Sequence, residues 1–181
     1  MNKFKSILRN VVAIAICLTA TTTIFTSCGA LAGVLEAPTE QGVVINGVRW
    51  ATRNVATPGR FTTTPQDYAG LFTWAEAQNA CPSGWRLPTQ QELQALNSAG
   101  GTWTSQRGVY GRLFGSGRNQ IFLPAAGWQR GTITRQGELG YYWSSTSLGG
   151  GNGAQLEFSI QHSAVHHQQP SDGLSVRCVA K

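Results

Sequence analysis

The stretch that most constrains this chain is Thr73 to Leu96, TWAEAQNACPSGWRLPTQQELQAL, because it sets two helix-start signals close together around a Pro-Gly turn. Thr73 and Glu76 have the spacing of a capping box. The hydroxyl can accept a free first-turn amide while the carboxylate reaches back to the Thr amide. This predicts a helix from Trp74, with Trp74, Ala77 and Cys81 on one face, Cys81 at its buried end, and Pro82 as the stop. Thr89 and Glu92 repeat the signal. Leu93 and Leu96 then supply an apolar stripe that ends at Gly100 and Gly101.

The start of the chain carries a different instruction. Lys3, Lys5 and Arg9 precede an apolar run, Val11 to Ala20, well short of the ~20 residues a helix needs to cross a bilayer. That is the form of an export signal. Cys28, preceded by Phe25-Thr26-Ser27 and followed by Gly29, is the expected processing and lipidation site. Ala30-Leu31-Ala32 is a competing cleavage pattern that would release a secreted protein without lipid. The organisation read from this is a signal peptide at 1–27, a tether at 28–41 that Pro38 stiffens slightly, and a domain at 42–181.

Cleavage before Cys28 leaves 154 residues, enough for one well-buried domain and not for two. The net charge of +6 falls to +3 once Lys3, Lys5 and Arg9 leave, and the remaining arginines are scattered singly. No basic stripe for nucleic acid results. The 22 glycines, six tryptophans and 12% charged residues suit an exported, loop-rich fold held by aromatics.

Along the domain, Val43 to Trp50 brackets Asn46-Gly47, a strong hairpin signal. Pro58 to Gly70 reads as a loop. Gly101 to Gln120 reads as a long loop anchored by Val109, Tyr110, Leu113 and Phe114. Ile121 to Leu123 reads as a buried strand closed by Pro124, and Trp128 to Thr134 as a short strand or turn. Tyr141-Tyr142-Trp143 opens the β core of the second half, where core packing is the plain role for Tyr142 and Trp143.

Ala154, Leu156, Phe158 and Ile160 then alternate with Gln155, Glu157, Ser159 and Gln161, predicting one buried and one solvated face. The polar set continues through His162, Ser163, His166, His167, Gln168 and Gln169. An ordinary solvated strand would look the same.

Five segments carry a family resemblance: INGVRWATRNV (Ile45–Val55), FTWAEAQNACPSGWRLPTQQEL (Phe72–Leu93), LPAAGW (Leu123–Trp128), YYWSSTS (Tyr141–Ser147) and GLSVRCVAK (Gly173–Lys181). In this order they resemble the Fibrobacter succinogenes major paralogous domain, a bacterial envelope domain similar to the C-type lectin-like fold. The resemblance implies an α+β domain, with two short helices packed on small antiparallel sheets and a loop-rich second half. It also implies an outer-membrane lipoprotein facing either the periplasm or the cell surface, joined to the membrane through its lipid.

YYWSST, the alternating strand and Gly-x-Ser-Val-Arg also resemble lectin-fold proteins diversified by retroelements. That likeness marks Asn152, Gln155, Glu157, Ser159, Gln161, His162, Ser163, His166, His167, Gln168 and Gln169 as exposed candidates for binding a protein or glycan ligand, beside Tyr142 and Trp143. A fixed binding surface in the same place needs no diversification.

With Cys17 in the signal and Cys28 lipidated, Cys81 and Cys178 remain in an oxidising compartment and are expected to pair. The pair resembles the bridge from first helix to last strand in C-type lectin-like domains; two buried free thiols are the alternative. Sharper chemistries find little support. His162, His166 and His167 lie on strand and loop, where i and i+4 do not converge, so no metal is expected. Pro124 is flanked by Leu123 and Ala125, and Trp143 is followed by Ser144 and Ser145, so the oxygen ligands of a calcium-dependent lectin are missing. Formylglycine-generating oxidases share an Arg-Leu-Pro-Thr segment similar to Arg86–Thr89, but they require a reactive cysteine pair that this chain does not spare. No catalytic residues, cofactor or nucleic-acid partner are therefore expected. The leading expectation is a non-catalytic recognition module; an assembly component of the envelope is the alternative, favoured if exposed apolar surface clusters at Val43–Trp50, whereas polar and aromatic residues clustered around Tyr142 and Gln155–Gln169 favour ligand binding.

Overall fold

A computed structural model describes residues 39–181 except Gly150, Gly151 and Pro170. The expected signal peptide, the lipidation site Cys28 and most of the tether lie outside the described residues. The last tether residues belong to the domain: the Glu40 carboxylate accepts from the Thr52 amide at 2.8 Å and pairs with Arg53 Nε at 2.9 Å.

Chain order sets up a series of hairpins. β1 (Val43–Ile45) and β2 (Val48–Trp50) pair around Asn46-Gly47, both at positive φ, the type I′ geometry that matches strand twist. β3 (Val55–Thr57) and β4 (Arg60–Phe61) form a second small pair. α1 (Trp74–Ala77) starts at Trp74 and carries both capping-box bonds at Thr73. It ends sooner than Pro82 would require. Asn79 and Ala80 donate to carbonyls three residues back, tightening the chain into turns that carry Cys81 away from the helix axis.

β5 (Trp85–Arg86) leads into α2 (Gln90–Ser98), whose Thr89–Glu92 box also forms in full and whose Leu93 and Leu96 are buried. Glu92 serves twice, because Arg86 also forks onto its two oxygens at 2.8 and 2.7 Å. Gln90 N donates to Thr146 Oγ1, so an orphan amide of the helix start is used to hold the second half of the chain.

The expected loop at Gly101–Gln120 is instead sheet. β6 (Gly101–Gln106), β7 (Val109–Ser116) and β8 (Asn119–Pro124) form a three-stranded meander. Arg107-Gly108, again both at positive φ, makes the first of its turns. The polar, Gly-rich composition of β6 and β7 hides the strands, most of whose residues are half-buried or exposed. β9 (Trp128–Arg130) and β10 (Thr132–Thr134) make a short hairpin, and β11 (Gly140–Ser147), β12 (Gly153–Phe158) and β13 (Ser163–Gln168) a second three-stranded sheet. The second half is thus strand-rich rather than loop-rich. β14 (Val179–Ala180) inserts between β2 and β5, giving the order β1-β2-β14-β5 and joining the two ends of the domain.

The result is a mixed but strand-rich domain of small antiparallel sheets with two short helices. One core gathers Trp50, Leu93, Leu96, Phe114, Tyr142, Leu156 and Phe158; the other gathers Phe72, Leu87, Trp143, Leu174, Val176 and Cys178. The expected disulfide Cys81–Cys178 is present, with Cα atoms 6.0 Å apart, and it ties the chain after α1 to the approach of β14. Between the cores lies Arg177, fully buried, donating to Asn54 Oδ1 at 2.8 Å and to the carbonyls of Ala51 and Phe122 at 3.0 Å. Gly140 shows how closely β11 and β12 pack: a Cβ there would stand 2.0 Å from the Phe158 ring.

Candidate functional site

The β11-β12-β13 sheet carries most of the residues singled out in the sequence, and the structure divides them. Tyr142 and Trp143 are fully buried. The Tyr142 hydroxyl donates to Pro124 O at 2.8 Å and the Trp143 indole to Phe72 O at 2.7 Å. Both are scaffold, and neither faces a ligand. Burial pushes the Tyr142 phenol up to about 12, against the lowering effect of Arg177 beside it.

Gln155 is a correction of the same kind. It is 1% exposed, set between Trp143 on β11 and His166 on β13. The face opposite Leu156 is covered at this level: a Cβ at Gly153, on Gln155's side of the strand, would stand 2.3 Å from the Trp74 ring. Strand alternation also stops at Phe158. Ser159 therefore turns inward, and Ile160, expected in the core, is 67% exposed. Gln161, His162, His166, His167 and Gln169 are exposed, while Asn152, Glu157, Ser163 and Gln168 are half-buried. His166 and His167 point to opposite faces of β13 because they are adjacent on a strand. Among the described residues, no three His, Cys, Asp or Glu side chains come together as a metal set.

The turn between β12 and β13 is rigidly built. Ser159 Oγ accepts the amides of Gln161 and His162 at 3.0 and 3.2 Å and lies 2.9 Å from His162 Nδ1. With its lone pairs so used, the hydroxyl donates to Nδ1, which places the imidazole proton on Nε2, 3.2 Å from Glu157 Oε1. This chain of contacts has the residue types of a hydrolytic triad. The hydroxyl, however, is committed to the turn, so its work is to fix His162 and Gln161 in place. Arg112 on β7 adds a brace, with Nη1 2.9 Å from Ser159 O and 3.1 Å from His162 O.

That brace joins the turn to a cleft of about 400 Å³, the feature that sequence reading missed. One wall is Trp103 on β6 and Tyr110 on β7, diagonal cross-strand neighbours stacked at 6.3 Å with planes 11° apart. A second wall is the 159–162 turn, and the third is the 135–139 turn. There Arg135, at φ 60°, pairs with Glu138 at 3.2 Å. Tyr110 is 53% exposed. The available signal was alternation: Trp103 and Ser105 oppose Arg112 and Tyr110 across Arg107-Gly108, a hairpin pattern obscured by the glycines of the segment.

Residues 114–179 match a family described as a domain of unknown function (DUF8237). The matched span includes the 135–139 and 159–162 turns but not Trp103 or Tyr110. No curated protein and no solved structure matches the chain.

Proposed function

We propose that this chain is a non-catalytic ligand-recognition module of an exported, lipid-anchored envelope protein, with the architecture of a C-type lectin-like domain related to the Fibrobacter succinogenes major paralogous domains. The architectural reading is supported by the sheet that unites the first hairpin with the last strand, by the disulfide from the end of α1 to that strand's approach, and by the two short helices between. Lipidation at Cys28 rests on the signal pattern, and outer-membrane attachment on the family resemblance.

The observation that carries the recognition reading is where exposed apolar and polar side chains meet. Among the described residues, Tyr110 and Ile160 share the cleft beside Gln161 and His162, whereas the β1–β2 hairpin exposes only Val44 among its large apolar side chains. Assembly through that hairpin has no comparable patch. The supporting frame is stiff, since a cross-linked core and a braced turn fix the backbone on which the exposed residues stand. Pre-organisation of this kind lowers the entropy cost of binding.

The test has two parts. The full-length chain is applied to protein and glycan arrays beside a variant with Gln161, His162, His166 and His167 changed to Ala. Retained ligands lost on the variant, with thermal unfolding unchanged, support recognition; binding that depends instead on Val44→Asp supports assembly. Sequencing the codons for Gly140–Lys181 in sibling isolates tests diversification. Variation should fall on exposed positions such as Gln161, His166 and His167 and spare Gln155 and Ser159; a uniform sequence removes that subclass and leaves fixed recognition.

A further inference from the structure

We infer that the Trp103–Tyr110 cleft takes a neutral pyranose ring, the terminal one or two sugars of an uncharged glycan, without calcium. This deepens the recognition reading and rests on it. The first support is shape and surface. At about 400 Å³ the cleft lies toward the small end of the ~300–1,000 Å³ that hold small ligands, and its main wall is a pair of parallel aromatic rings. Axial C–H bonds of a pyranose present weakly positive hydrogens, the complement of the negative face of an aromatic ring. Tyr110 stands open enough to offer that face, and Ile160 extends the apolar surface.

The second support is charge. Arg135 and Glu138 stand on the rim as a mutual pair, with their side chains more than half exposed. An anionic ligand would meet Glu138, and a cationic one Arg135. A neutral ligand with adjacent hydroxyls suits both, because each hydroxyl can donate to the carboxylate and accept from the guanidinium. Gln161 adds an amide able to do either. A peptide's apolar side chain could use the aromatic wall but has no group with which to exchange hydrogen bonds with Arg135, Glu138 and Gln161.

The experiment applies the full-length chain in detergent micelles to an array of neutral hexose and N-acetylhexosamine oligosaccharides, with sialylated and sulfated glycans and a peptide array alongside, each with calcium and with EDTA. Titration of the best neutral oligosaccharide, read by tryptophan fluorescence, then compares the wild type with Tyr110→Ala and Glu138→Gln. Both substitutions are at exposed side chains, so folding is checked simply by circular dichroism and unfolding temperature. Expected are retention of neutral glycans in EDTA, at least a tenfold weaker affinity for Tyr110→Ala and a several-fold loss for Glu138→Gln. Glycan binding indifferent to Tyr110→Ala, or preference for anionic glycans, overturns the inference. Binding confined to peptides and lost on the Gln161/His162/His166/His167 variant overturns it while leaving recognition standing; retention of nothing on either array overturns both.

Discussion

Arg177 is the position where a single substitution most directly probes how the domain is held. Its guanidinium is fully buried, and no carboxylate is hydrogen-bonded to it among the described residues. Burial pushes it down to about 10, with Tyr142 and Glu40 nearby acting in the opposite direction. Removing the charge therefore relieves a net cost of ~3 kcal/mol, taking 1.36 kcal/mol per tenfold change in proton affinity. Against that, Arg177→Met strands Asn54 Oδ1, Ala51 O and Phe122 O, and each buried acceptor left unmet costs about 1–3 kcal/mol. The balance falls on the side of loss, roughly 3 kcal/mol. Arg177→Lys keeps the charge but cannot span three acceptors from one ammonium, so it should do no better. Urea unfolding of both variants beside wild type measures this. A neutral or stabilised Arg177→Met with an unchanged m-value would refute the reasoning, because it would mean that the three acceptors do not depend on the guanidinium.

Three other outcomes follow from the same coordinates. Replacing Cys81 and Cys178 together by Ser should cost about 4–5 kcal/mol, since the bridge spans a separation of 97 residues and closes a correspondingly long loop; denaturant melts of the double variant, matched to reduced wild type, check it. Gly140→Ala should destabilise by about 1–3 kcal/mol through overpacking against Phe158, seen as a lower unfolding temperature. On the acid side, burial alone would raise the Glu40 carboxyl, but bonds from Arg53 and Thr52 outweigh it and hold it below the usual carboxylate range, while Arg86 does the same for Glu92. Both folded values lie below the unfolded ones, so this stability is present above about pH 4.5 and is lost as pH falls through the folded values. Wild type should lose unfolding temperature steadily below pH 4.5, and Glu40→Gln with Glu92→Gln should flatten that slope.

Much of the scaffold was legible because its signals are local. The two capping boxes, the Asn46-Gly47 hairpin and the α2 stripe each depend on residues a few positions apart, and each forms as read. The Arg86-Leu87-Pro88-Thr89 segment gains a physical reason. Arg86 forks onto the capping Glu92, and Pro88 O accepts the Ser145 amide at 2.7 Å, which couples the helix start to β11. The Cys81–Cys178 pairing was expected from cysteine count and compartment, and both partners lie where the fold brings its ends together.

The candidate site was less legible, for reasons that begin where sequence neighbours stop mattering. Period-two alternation at Ala154–Phe158 fixes which residues share a face, but what covers the other face is decided by Trp74, far away in the chain. Gln155 is therefore buried and Ile160 exposed. Nothing near Arg177 in the sequence shows that three distant acceptors converge on it. The cleft itself joins β6–β7, the 135–139 turn and the 159–162 turn, segments whose polarity gives no hint that they meet. The sequence by itself determined the helices, the first hairpin and the cysteines available to cross-link, because backbone capping and turn geometry act over a few residues. Which polar side chains face water, and where an aromatic wall stands beside them, only the tertiary structure decided, because burial is a property of what packs above a residue and not of the residue.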